Sequence, residues 1–200
     1  MKTLLQINAS LNSVRGQSSR LSNQFVDSWQ RANPDGQVIS RDLAVSEIPH
    51  LTAERFEAFG TAPAERTGNQ AEIVTESDEL IAELESADII VMGLPMYNFG
   101  IPSTLKAWID HVARAGKTFE YTESGPLGLL ADRPVVIFAA RGGLYKDTPR
   151  DTQSAYITHF LNFIGIRDIE FVYAEGLNLG EDVRQESLEL ATQTIGRKAA

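Results

Sequence analysis

Apolar positions along the chain follow two alternating patterns. Thr3 to Ile7, Ile89 to Leu94, Pro134 to Ala140 and Ile169 to Ala174 are short apolar runs of strand length. Ile89 to Leu94 is nearly continuous, as expected of a strand covered on both faces. Gln37 to Leu43 is weaker and alternates, as in a half-exposed strand. Longer amphipathic stretches separate these runs. Ser19 to Arg31 sets Leu21, Phe25 and Trp29 on one helical face. Thr67 and Gln70 have capping-box spacing and open a helix that reaches about Glu85. Pro102 opens another, with Leu105, Trp108, Ile109 and Val112 as its buried stripe. Asp151 to Ile164 is helical and stops at Gly165, and a last helix runs from about Glu181 to Gly196. Ile48 to Asn69, rich in proline, glycine and charge, reads as an excursion with a short helix, and Thr118 to Tyr121 begins a small hairpin.

Strands alternating with helices imply a parallel α/β sheet with helices on both faces, because parallel crossovers need a helix. No linker or repeat divides the 200 residues, so a single domain over 1–200 is expected. A formal net charge of −9 repels phosphate backbones and argues against a nucleic-acid partner. An anionic ligand must then be held by local donors. The absence of cysteine removes disulfides, thiolate nucleophiles and cysteine-held metals. Gln6 and Asn8 interrupt the N-terminal apolar run before it reaches secretory length, and no segment approaches a membrane span. The chain therefore reads as soluble and cytoplasmic, with no membrane partner.

In an open α/β sheet, ligands sit beyond the carboxyl ends of the strands. Three segments there carry unusual chemistry. After the first strand come Asn8, Ala9 and Ser10, then Gly16, Gln17, Ser18 and Ser19. Hydroxyls and free N–H groups at a helix start suit a phosphate; Ser18 or Ser19 as a simple N-cap is the plainer reading. The loop fits neither the dinucleotide nor the P-loop fingerprint. After the third strand, Met96, Tyr97 and Phe99 offer a surface for a flat ring, and Asn98 offers a donor and an acceptor to its edge. An apolar loop tucked under the next helix is the alternative. After the fourth, Ala140, Arg141, Gly142 and Gly143 let backbone N–H groups approach a ligand closely, unless they form only a turn. The coincidence of the three points to a flat heteroaromatic joined to one phosphate. The histidines, His50, His111 and His159, lack paired spacing and suggest no metal site; His111 is expected at the surface or as a cap.

The run MYNFGIPSTLKAWIDHVARAGKTFEYTESGPLGL resembles the corresponding stretch of the FMN-dependent NADH azoreductases, a branch of the flavodoxin-like quinone reductases. ARGG is similar to that family's second flavin loop and SLNSVRGQSSRLS to its phosphate loop; FLNFIGI and EFVYAEG extend the resemblance over nearly the whole chain. The resemblance implies a flavodoxin-like, five-stranded parallel sheet in the order 2-1-3-4-5. It also implies FMN, a homodimer with the active site at its interface, and ping-pong two-electron reduction of quinones and azo compounds by NADH or NADPH. By position, Ser10, Gln17 and Ser18 would hold the phosphate and ribityl chain. Met96, Tyr97, Asn98, Phe99, Arg141, Gly142 and Gly143 would hold the isoalloxazine, which performs the chemistry without a protein nucleophile. Backbone N–H groups of Gly142 and Gly143 would face negative charge developing on the ring. Two departures bear on FMN affinity: Gly16 and Ala140 stand where serine is common. Phe119 and Tyr121 read either as walls of the acceptor pocket, supplied from the partner subunit, or as hairpin packing. Tyr145 and Lys146 follow the glycines and read either as contacts to the nicotinamide dinucleotide or, by default, as solvent-exposed. The competing function is a flavodoxin-type electron carrier with no substrate of its own. The excursion and the hairpin segment are more than a carrier needs.

Overall fold

The computed structural model describes residues 1–198. Five strands form one sheet: β1 (Thr3–Asn8), β2 (Gln37–Asp42), β3 (Ile89–Pro95), β6 (Val135–Ala140) and β7 (Ile169–Ala174). Between β3 and β6 lie the two strands of a separate hairpin, β4 (Phe119–Thr122) and β5 (Gly125–Gly128). The large sheet is parallel throughout, in the order β2-β1-β3-β6-β7. Leaving out the hairpin, this is the 2-1-3-4-5 order expected. Among the described residues, six helices accompany it: α1 (Gln17–Ala32), α2 (Ala53–Gly60), α3 (Gly68–Ser86), α4 (Ser103–Val112), α5 (Thr152–Phe163) and α6 (Glu181–Lys198).

The core has a layer on each face of the sheet. On one face Leu5, Ile7, Met92 and Ile137 meet Leu84, Trp108 and Phe160 from α3, α4 and α5. On the other, Leu4, Val91 and Phe138 meet Phe25 and Trp29 of α1 and Ile195 of α6. β3 and β6 are buried almost from end to end because both layers cover them, which is why their sequences carry no alternation. β1 is different. Gln6 and Asn8 alternate with Leu5 and Ile7, so they face α1 with Leu4. There Gln6 Nε2 donates to Ser22 Oγ (3.2 Å) and Asn23 Oδ1 (2.7 Å), and Ser22 Oγ donates to Asn8 Oδ1 (2.6 Å). These buried amides are satisfied by one another, and the seam fixes the register of α1 on β1 beneath the first strand-end loop.

Several boundaries differ from the sequence reading by a residue or two, each for a local reason. α1 starts at Gln17, not Ser19, because its first turn is lined with hydroxyls that leave no apolar mark. Pro102 is the N-cap of α4 rather than its first residue. Both halves of the capping box at Thr67 and Gln70 are present. The excursion contains α2, capped by Thr52, and a 3-10 turn over Pro63–Glu65. The hairpin seats on the end of α5: Leu130 N donates to Ile164 O (3.0 Å), and a Cβ at Gly128 would stand 2.2 Å from Gly165 N. Gly165, at φ 109°, ends α5 and allows that approach. Among the described residues, no helix is long and apolar enough to cross a membrane.

Candidate functional site

Three loops leave the carboxyl ends of β1, β3 and β6, neighbours in the sheet. The first folds as a 3-10 turn over Ser13–Arg15 and then enters α1 at Gly16. Ser13 takes a left-handed φ of 48°, and its hydroxyl donates to Asp42 at the end of β2, which also accepts from Ala44 N (3.0 Å). Ser10 is buried and its Oγ accepts from Asn12 N (3.2 Å). A Cβ at Gly16 would stand 2.1 Å from that Oγ, so Ser10 occupies the space that a side chain at 16 would fill.

Ser18 and Ser19 are fully buried in the first turn of α1, and neither caps it; Gly16 is the N-cap. Both hydroxyls lack a hydrogen-bond partner among the described residues. An unpaired buried hydroxyl is unfavourable by about 1–3 kcal/mol. Two of them beside the unsatisfied amides of a helix start match the needs of a phosphate dianion.

The second loop is a two-residue turn. Tyr97 N and Gly100 N each donate to the other's carbonyl (3.1 and 2.9 Å), with Asn98 at φ 49° and Phe99 at φ 65°. A left-handed φ is tolerable for asparagine and rare for phenylalanine, so the turn is held by its surroundings. Asn98 and Phe99 are exposed, Met96 and Tyr97 half-buried. The Tyr97 hydroxyl reaches the first loop: it accepts from Leu11 N (3.3 Å) and lies 3.5 Å from Ser10 Oγ.

In the third loop the Ala140 carbonyl accepts from Met96 N (3.1 Å), joining it to the second. The N–H groups of Gly142 and Gly143 make no hydrogen bond among the described residues. Asn178, after β7, flanks Gly142, where a Cβ would stand 2.5 Å from its Nδ2; the Tyr145 ring covers Gly143. Met96, Asn98, Phe99, Gly142, Tyr145 and Asn178 line a shallow cleft of about 280 Å³. Phe99 and Tyr145 meet edge to face across it, with centroids 5.7 Å apart.

Not every residue singled out in the sequence reaches this cleft. Arg141 turns its guanidinium into the protein, where it donates to Asp151 (2.8 Å), Glu175 (3.0 Å) and Ser154 Oγ (2.7 Å) and lies over the Tyr173 ring. Phe119 is buried against Phe163, centroids 4.2 Å apart, while Tyr121 stands 76% exposed at its edge. Lys146 is exposed, whereas Tyr145 is half-buried in the cleft wall. His111 is not at the surface. It is fully buried between α2 and α4, with Nδ1 2.8 Å from Ala107 O and Nε2 3.3 Å from Arg55 Nη1. An arginine only donates, so Nε2 accepts and the ring is neutral; burial pushes its pKa down. Asn178 was missed, although the rule that found the other loops applies to its strand end as well.

This arrangement defines an open parallel α/β protein whose strand-end loops meet around one shallow cleft. Residues 1–199 match the family described as having the flavodoxin-like fold. A protein of Cellvibrio japonicus named FMN-dependent NADH:quinone oxidoreductase is 58% identical over 181 residues, covering 90% of this chain and 91% of that one. Another of the same name from Alcanivorax borkumensis is 53% identical over 96% of this chain and 97% of its own. An azoreductase structure from Bacillus anthracis superposes with a TM-score of 0.91 at 29% identity, covering 100% of this chain and 99% of that one. An FMN-dependent NADH-azoreductase from the same species, solved in complex with FMN, gives 0.88 at 26% identity, with all of both chains covered. The chain belongs to the FMN-dependent NADH:quinone oxidoreductases and azoreductases of the flavodoxin-like family.

The ion cluster behind the third loop gives a testable consequence. Burial pushes the Asp151 carboxyl up, but hydrogen bonds from Arg141 and Ser154 outweigh this and hold it below its ordinary range. A depressed pKa stabilises the fold above the unfolded value near 4 and is lost as pH falls through the folded value. Urea melts should therefore show stability falling from about pH 4 downward, with a shallower fall in Asp151→Asn. Arg141→Met, which strands two carboxylates, should cost about 3–5 kcal/mol at neutral pH. An unchanged midpoint for Arg141→Met would show that the cluster is not a structural tie.

Proposed function

We propose that the chain binds FMN across these three loops and, as a cytoplasmic homodimer, uses NADH to reduce quinones to hydroquinones and azo compounds to amines. The observation that carries the reading is the pair of buried, unpartnered serine hydroxyls at the start of α1. When bound, FMN would supply the hydride chemistry between NADH and the acceptor, in one cycle for a quinone and two for an azo bond. The chain's own groups bind and orient. Ser10, Gln17 and Ser18, with the N-terminal amides of α1, take the phosphate and ribityl chain; the helix dipole favours the dianion in an otherwise acidic protein. Met96 to Phe99 give the ring a wall and Asn98 an edge contact. The free N–H groups of Gly142 and Gly143 stabilise negative charge on the ring. Gly16 and Ala140 contribute backbone where serine is common, which leaves fewer hydroxyls on the phosphate and the ring.

The excursion that contains α2 and the β4–β5 hairpin are more than a carrier needs. The relatives named above are oxidoreductases. The two readings separate in stopped flow. NADH should bleach the flavin band of the FMN-loaded protein, and benzoquinone or an azo dye should restore it, without any partner protein. If NADH and NADPH leave the flavin oxidised for minutes while dithionite reduces it at once, the carrier reading replaces this one.

Asn98→Gly, which keeps the left-handed backbone, should lose about ten- to hundred-fold in FMN affinity, as expected for one hydrogen bond buried under the ligand, with little change in melting temperature. Equal affinity and turnover would reduce Asn98 to a loop residue.

Homodimer formation is supported by the hairpin, which projects Tyr121 at 76% exposure and Leu127 at 45%. Light scattering should give twice the monomer mass of 22.0 kDa. A monomer with full activity would refute the assembly and keep the pocket within one chain.

A further inference from the structure

Gln153 sits in the first turn of α5 and is 1% exposed. Its Nε2 donates to Pro95 O (2.7 Å) and Gly100 O (3.1 Å). Pro95 is the last residue of β3 and Gly100 closes the turn, so one amide spans the second loop from root to tip. The Oε1 of the same amide is buried with no partner among the described residues. A half-satisfied buried amide is unfavourable, and the two bonds it gives the loop are what offset that cost. Turning the amide over would aim Oε1 at two carbonyl oxygens, so the loop dictates its orientation. The neighbouring Thr152 Oγ1 donates to Phe99 O (2.5 Å). Consecutive side chains of α5 therefore hold three carbonyls of a loop whose own backbone closes only through Tyr97 and Gly100. That loop carries the two left-handed residues, Asn98 and Phe99.

We propose that Gln153, assisted by Thr152, is a positioning residue for FMN: it holds the Met96–Gly100 loop in its strained, ring-ready shape, so that binding does not have to order the loop. The proposal rests on the FMN reading above. Gln153 acts through the loop, not on the cofactor or the reacting atoms. Ligand affinity depends on how much of the population already has the competent loop, and loss of the two bonds lowers that fraction.

The test is titration of FMN into flavin-stripped full-length protein, followed by visible circular dichroism of the bound flavin and by the melting temperature without FMN. Gln153→Met keeps the volume and removes the donors; FMN affinity should fall by roughly tenfold and the visible dichroism should change. Thr152→Val, at an exposed residue, should weaken binding in the same direction by less. Gln153→Glu supplies a readout that packing alone would not move. Its ionised carboxylate cannot donate and faces two carbonyl oxygens, so affinity relative to the unmodified protein should be low at neutral pH. It should recover as pH falls and the carboxyl gains a proton it can donate. Unchanged affinity and dichroism in Gln153→Met, with no pH dependence in Gln153→Glu, overturns the proposal. If Gln153→Met does not fold, unchanged affinity in Thr152→Val together with a flat Gln153→Glu profile does the same. Failure of the unmodified protein to bind FMN overturns the cofactor reading and this proposal with it; a tight-binding parent beside unaffected variants overturns this proposal alone.

Discussion

The guanidinium of Arg141, with no exposed side-chain surface, is the tie on which the architecture of the cleft depends. It joins the end of β6 to Asp151 at the start of α5 and to Glu175 just past β7. Glu175 in turn accepts from the backbone N–H groups of Tyr145 and Lys146, so the loop carrying the cleft's aromatic wall folds back on the same carboxylate. Burying three charges is costly, and an apolar set of similar volume would often match it in stability. What an apolar set lacks is direction. A planar fork bonded to two carboxylates and a hydroxyl fixes the angle between a strand end, a helix start and a loop. The amides of Gly142 and Gly143 inherit that angle because they follow Arg141 directly in the chain.

The strand-end loops form a connected set. The first meets the second through the Tyr97 hydroxyl, the second meets the third through Met96 N and Ala140 O, and α5 braces the second from below. Most of these contacts use backbone atoms. The side chains that line the cleft, Phe99, Tyr145 and Asn178, carry little of the bracing themselves.

How much of this was legible in the sequence follows from what each position touches. β3 and β6 announced themselves because two apolar layers demand unbroken apolar runs. Gln6 and Asn8 looked like mere interruptions, because their partners Ser22 and Asn23 lie on another element and no local pattern records a tertiary amide seam. The start of α1 was hidden for a different reason: its first turn is polar, and its two buried hydroxyls have no hydrogen-bond partner among the described residues. The three loops were found through the topology of open sheets, and Asn178 obeys the same topology at a strand end that drew no attention. The side-chain direction of Arg141 was not legible: an arginine beside two glycines reads as a ligand contact until Asp151 and Glu175 are brought to it by the fold. Phe119 and Tyr121, adjacent in the hairpin pattern, part company on burial. Gln153 carried no signal at all, being one polar residue among several in a helix start.

α5 has 12 residues, about 18 Å of stiff rod. Its first turn grips two of the cleft loops, and its far end carries the hairpin through Ile164 and Gly165 and through Phe163 against Phe119. Held at both ends, the rod keeps a fixed angle to the sheet. A tilt of about 3° shifts one end by roughly 1 Å relative to the other over that length, enough to spoil a hydrogen bond whose useful range is only a few tenths of an ångström. The hairpin and the cleft loops are thus referenced to one stiff element, and the accuracy of the cleft contacts rests on how the far end of α5 is seated.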